Sequence, residues 1–137
     1  MRARREQTLS TWRTTCDNRS VRTATIMNRI RKLALSFPKT REDHPWGDFP
    51  VFKVGDNSMF AMAYADEDGV HVTLKLTPEE REVALLLPWV SVARYVGRYG
   101  WVTAQVTDAE SLANVLEWMR ESYYLKAPAK LRDAAFD

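Results

Sequence analysis

Apolar residues recur at Ile26, Ile30, Leu33 and Phe37, with Arg29, Arg31 and Lys32 between them. That spacing predicts an amphipathic helix from about Arg22 to Ser36, closed by Pro38. The following TREDHPWGDFP carries two prolines and Gly47 and reads as a loop, with room for a short strand before His44. The period then changes to two. Val51–Val54 and Ser58–Tyr64 are short apolar runs on either side of Gly55-Asp56-Asn57, a hairpin signal. After a second turn at Ala65–Gly69, Val70, Val72, Leu74 and Leu76 share one side of a strand, with His71, Thr73 and Lys75 on the other.

Thr77, Pro78 and Glu80 form a helix start, with threonine as cap, proline in the first turn and glutamate to close a capping box. Val83, Leu86 and Leu87 are the expected apolar side of that helix, and Pro88 ends it. The stretch from Pro88 to Gly100 reads as a loop, and Trp101–Val106 alternates as a further strand with Trp101 expected to be buried. Thr107 and Glu110 suggest another capping box, opening a helix with Leu112, Val115, Leu116, Met119 and Tyr123 as its stripe. The order predicts an α+β domain: a single antiparallel sheet with helices on one face.

Composition sets the boundaries. The chain has 137 residues, 45% of them hydrophobic, which suits one domain. Residues 1–22 are rich in Arg, Thr and Ser and poor in apolar side chains, so a disordered basic extension is expected there and the domain is expected to occupy 23–137. Charge is split along the chain. Residues 1–36 hold nine Lys and Arg against Glu6 and Asp17, leaving eleven basic and sixteen acidic residues in the remainder. Cys16 is the single cysteine and has no intramolecular partner, which points to a reducing, cytoplasmic compartment. The apolar run Val83–Leu87 is far short of the ~20 residues needed to cross a bilayer, and no secretory leader is apparent. A monomer is expected.

Chemistry-bearing patterns are sparse. His44 and His71 are the only histidines, and no zinc or calcium spacing is present, so no metal is expected. No nucleophile elbow, phosphate loop or dinucleotide fingerprint appears, so neither a catalytic set nor a cofactor is expected. Two surfaces remain. Lys53, Lys75, Arg94 and Arg98 are candidate phosphate contacts, and the stretch Arg94–Trp101 interleaves arginine with aromatic residues that could stack on bases. The competing reading of that stretch is a packed loop whose arginines are neutralised by carboxylates. Alternatively, His44, Trp46 and Trp101 could line a pocket for a small molecule or a protein segment.

Several segments also match a known pattern in order: Pro45-Trp46-Gly47, Pro50–Gly55 with Met59-Phe60-Ala61, Val72–Lys75 with Pro78-Glu79-Glu80, Tyr95-Val96-Gly97 with Gly100-Trp101-Val102, and Ser122-Tyr123. From about Met27 to Lys130 the chain resembles the MmcQ/YjbR family of small bacterial proteins. The resemblance implies a fold similar to the frataxin/CyaY group and a DNA-binding role of low sequence specificity, by likeness to the double-wing domain of a phage transcription factor. It carries over no catalytic residues. Frataxin-type iron binding uses an acidic ridge around the first helix. That helix is basic here, so iron binding is not expected.

Overall fold

The computed structural model describes residues 22–131. The expected disordered extension falls outside them except for Arg22, which is already helical. Helix α1 covers residues 22–36 of the described range. It buries Ile26, Ile30 and Ala34, and Phe37 follows it into the core. Ile26 belongs to that core, so a domain starting near Met27 would lose a packed residue and the helix's first turn.

The strands are β1 (Thr40–Asp43), β2 (Val51–Val54), β3 (Ser58–Asp66), β4 (Gly69–Lys75), β5 (Val90–Val92) and β6 (Trp101–Val106), with helix α2 (Pro78–Ala84) before β5 and helix α3 (Ala109–Lys126) last. They form one sheet in the order β1-β2-β3-β4-β6-β5. Every neighbouring pair is antiparallel. The α+β architecture with a single antiparallel sheet therefore holds.

Strand register explains which face is covered. Phe52, Ala61, Leu74 and Val102 lie in one row across the sheet, and Ala63, Val72, Ala104 and Val90 in another, while Val92 at the sheet edge stays exposed. These rows meet Ile30, Val115, Met119 and Tyr123 in one core, and α3 runs over β3, β4 and β6. On the opposite face lie Met62, Thr73, Thr103 and Ser91, with Tyr64, His71 and Gln105 beside them. There Thr73 is buried, and its hydroxyl is satisfied by that of Thr103 at 2.8 Å.

Four details depart from the sequence reading. The stretch read wholly as a loop contains β5, whose Val-Ser-Val is too short to show a period between proline and glycine. Helix α3 is capped by Asp108 and not by Thr107: Asp108 accepts from the Ser111 amide at 2.8 Å, and Ser111 Oγ accepts from the Asp108 amide at 3.2 Å. In α2, Thr77 does accept from the Glu80 amide, but the Glu80 carboxylate accepts from Trp118 Nε1 instead of closing the box. Finally, the buried residue of α2 is Ala84, whereas Val83 and Leu86 face outward.

Candidate nucleic-acid interface

The connection between β5 and β6 is a tight, hydrogen-bonded turn. Val96 N–H donates to Arg94 O at 2.7 Å, Tyr99 N–H to Val96 O at 3.0 Å and Gly100 N–H to Gly97 O at 3.0 Å. Tyr95 holds a left-handed φ of 67°, a conformation that costs a non-glycine residue energy and that the surrounding bonds must enforce. Gly97 is required by space. A Cβ there would lie 2.2 Å from Val92 Cγ1. Arg81 Nη1 donates to Gly97 O at 3.3 Å and ties the turn to α2.

With Gly97 packed inward, the side chains around it point out. Tyr95 is 91% exposed and Tyr99 57%, and Arg94 and Arg98 are exposed as well. The Arg98 guanidinium sits 4.9 Å from the centroid of the Tyr99 ring, a cation–π contact that holds it without neutralising it. Neither Arg94 nor Arg98 has a carboxylate partner among the described residues. Lys75 comes from the open face of the sheet, and its stem passes 3.9 Å from where a Cβ on Gly100 would stand. The structure thus brings Lys75, Arg94 and Arg98 to one end of the sheet.

Lys53 is elsewhere and is occupied. Its Nζ lies 2.9 Å from both Asp43 Oδ2 and Asn57 Oδ1, and its side chain is 14% exposed. Hydrogen bonds from Lys53 and from the His44 amide hold the Asp43 carboxyl below its ordinary range.

The second candidate set does not assemble. His44 follows β1 and Trp101 opens β6, with β2, β3 and β4 between those strands. Trp101 is buried on the sheet face away from α3, since Val102, Ala104 and Val106 take the helix side. His44 Nε2 is 2.7 Å from Glu42 Oε2, and Glu42 also accepts from Arg31 Nε at 2.7 Å. Trp46, 62% exposed, instead starts a series of rings: it stacks on Phe49 at 5.6 Å, Phe49 meets Tyr64 at 6.1 Å, and Tyr64 stacks on His71 at 4.7 Å. His71 Nε2 ends the series 3.0 Å from Asp66 Oδ1. The sequence reading missed Phe49 and Tyr64, because the β3–β4 register that pairs Tyr64 with His71 is not visible in the alternation of either strand alone.

Among the described residues no group of three or more His, Cys, Asp or Glu is placed to hold a metal, and no helix is long and apolar enough to cross a membrane. The site is therefore a surface of cations and rings on an open-faced α+β sheet. The YjbR family model matches residues 35–125, and the chain belongs to that family. Its fold is similar to that of a Deinococcus radiodurans protein carrying the domain DUF419, with a TM-score of 0.64, 24% identity, and 72% of this chain and 76% of that one covered. A Pseudomonas syringae protein matches with a TM-score of 0.50 and 23% identity, over 65% of this chain and 88% of that one. No curated protein matches the sequence.

Proposed function

We propose that this YjbR-family chain is a non-enzymatic, cytoplasmic nucleic-acid-binding domain of low sequence specificity, working through the β5–β6 turn. The likeness to frataxin/CyaY proteins and to a double-wing DNA-binding domain is part of the same proposal. One observation carries the reading: two arginine–tyrosine pairs, Arg94–Tyr95 and Arg98–Tyr99, are exposed with no carboxylate partner among the described residues. Guanidinium groups contact phosphates, and an exposed tyrosine ring such as Tyr95 stacks on bases of any identity. The acidic excess after residue 36 opposes polyphosphate, so affinity is roughly micromolar or weaker at physiological salt.

The test is a titration of labelled oligonucleotide with the full chain across salt concentrations. Three phosphate contacts, from Lys75, Arg94 and Arg98, give a log–log slope of about −2.7. Raising salt from ~50 to ~200 mM then weakens binding about 40-fold. Absence of binding at ~50 mM salt ends this reading. A second reading rests on the Trp46–Phe49–Tyr64–His71 rings, of which Trp46 and Tyr64 are exposed, and which would take a small molecule or protein segment near His44 and Trp46.

A further inference from the structure

Helix α2 and the α1/α3 groove are complementary surfaces on opposite sides of α3. The residues of α2 at spacings i, i+3 and i+4, Glu79, Glu82 and Val83, are all exposed, as is Leu86 in the turn that ends the helix. Val83 is 60% and Leu86 81% exposed, an unusual outlay of apolar surface for so short an element. Between α1 and α3 runs a groove of about 660 Å³. Leu33, Leu112 and Leu116 line it, along with three cations, Arg29, Lys32 and Arg120, and one carboxylate, Glu117. Arg120 has Glu117 at 4.0 Å, whereas Arg29 and Lys32 have no carboxylate partner among the described residues.

The two surfaces match in chemistry and in order. Along α2 the acids come first and the apolar residues later. Along α1, Arg29 and Lys32 precede Leu33 at the same spacing. Laid parallel, Glu79 and Glu82 face Arg29 and Lys32, while Val83 and Leu86 enter the leucine-lined floor. Within one chain this contact is barred. Trp118 and Glu121 hold α2 through Glu80 and Thr77, and these residues project from the side of α3 away from Leu112, Leu116 and Arg120.

We propose that copies of this chain associate head to tail, α2 of one copy seated in the α1/α3 groove of the next. Donor and receptor surfaces differ, so the contact is heterologous and each copy keeps one free end. The area is small and the complex transient, in keeping with a chain expected to be a monomer when dilute.

Sedimentation velocity of the full chain from roughly 10 to 500 µM, at ~50 mM salt to limit screening, tests this. The weight-average coefficient should rise with concentration without levelling at a dimer. Leu86→Lys removes the donor, and Arg29→Glu with Lys32→Glu removes the receptor. All these positions are exposed, so circular dichroism and melting should match wild type. Each variant alone should stay monomeric, and a mixture of the two should form 1:1 dimers and nothing larger. Wild type remaining monomeric over the whole range would overturn the proposal, as would association that survives both variants or a mixture that stays monomeric.

Discussion

The Ser122 hydroxyl accepts a hydrogen bond from the Lys75 backbone amide at 3.0 Å and donates to the carbonyl of Phe60. One buried group on α3 thus joins two neighbouring strands, at the place where an irregularity between Phe52 and Lys53 leaves Phe60 without a ladder partner. Ser122→Ala should cost about 1–3 kcal/mol, because it strands a buried carbonyl and a part-buried amide. A chemical-denaturation midpoint equal to wild type would show that the strands satisfy themselves without α3.

Trp101 and Tyr95 should separate cleanly in stability. Trp101 is buried, and Trp101→Ala should cost about 3–5 kcal/mol. Tyr95 is an exposed turn residue, and Tyr95→Ala should change stability by no more than about 0.5 kcal/mol. Thermal melts of both variants check the pair, and a large loss at Tyr95 would mean that the turn is packed and not presented.

Two glutamates should give opposite pH dependences. At Glu42 partial burial acts to raise the pKa, but hydrogen bonds from Arg31 and His44 outweigh it and hold the carboxyl below its ordinary value of 4.5. Its contribution is present above that value and lost as pH falls through the lowered folded pKa. Glu42→Gln should therefore be less stable than wild type at pH 7, with the gap closing in acid. Glu121 is raised by burial and then by the nearby Glu80, against a hydrogen bond from Thr77. Its ionised form burdens the fold above the raised pKa, so Glu121→Gln should be more stable than wild type at pH 7 and converge on it below about 4.5. Urea midpoints at several pH values decide both signs.

Much of the fold was legible in the sequence because its period was uninterrupted. Ile26, Ile30 and Phe37 marked α1, and Val70 to Leu76 marked β4. The failures have physical causes. Val83 and Leu86 are apolar yet face outward, while Ala84 is buried and Leu85 and Leu87 pack against the core, because the helix meets the core on a different side from the one the apolar spacing suggested. Asp108 displaced Thr107 as cap because Ser111 could answer it, a reciprocity between side chains that the glutamate signature missed. For the candidate site, Arg94 and Arg98 were legible as an arginine–aromatic alternation. The fate of Lys53 was not, since it depends on the β1–β2 register, which pairs it with Arg41 and leaves Asp43 within reach on the diagonal.

That register yields its own prediction. Lys53 is bound to Asp43 and Asn57, so Lys53→Met should leave the salt slope of nucleic-acid binding unchanged while lowering stability. A flattened slope in Lys53→Met would show that the lysine leaves its partners to meet phosphate.

The central claim is that the fold, through Arg94 and Arg98, supplies the phosphate contacts. The basic residues near the N-terminus could bind polyanions on their own, so the comparison must keep them in place. The decisive measurement is the salt dependence of oligonucleotide binding by the full chain against the full-length double variant Arg94→Gln, Arg98→Gln. Each lost contact should flatten the slope by about 0.9, so the double variant's slope should be shallower by about 1.8 whatever the N-terminal residues add, with the melting temperature unchanged. An unchanged slope in the double variant would contradict the account and assign the binding to cations outside the β5–β6 turn.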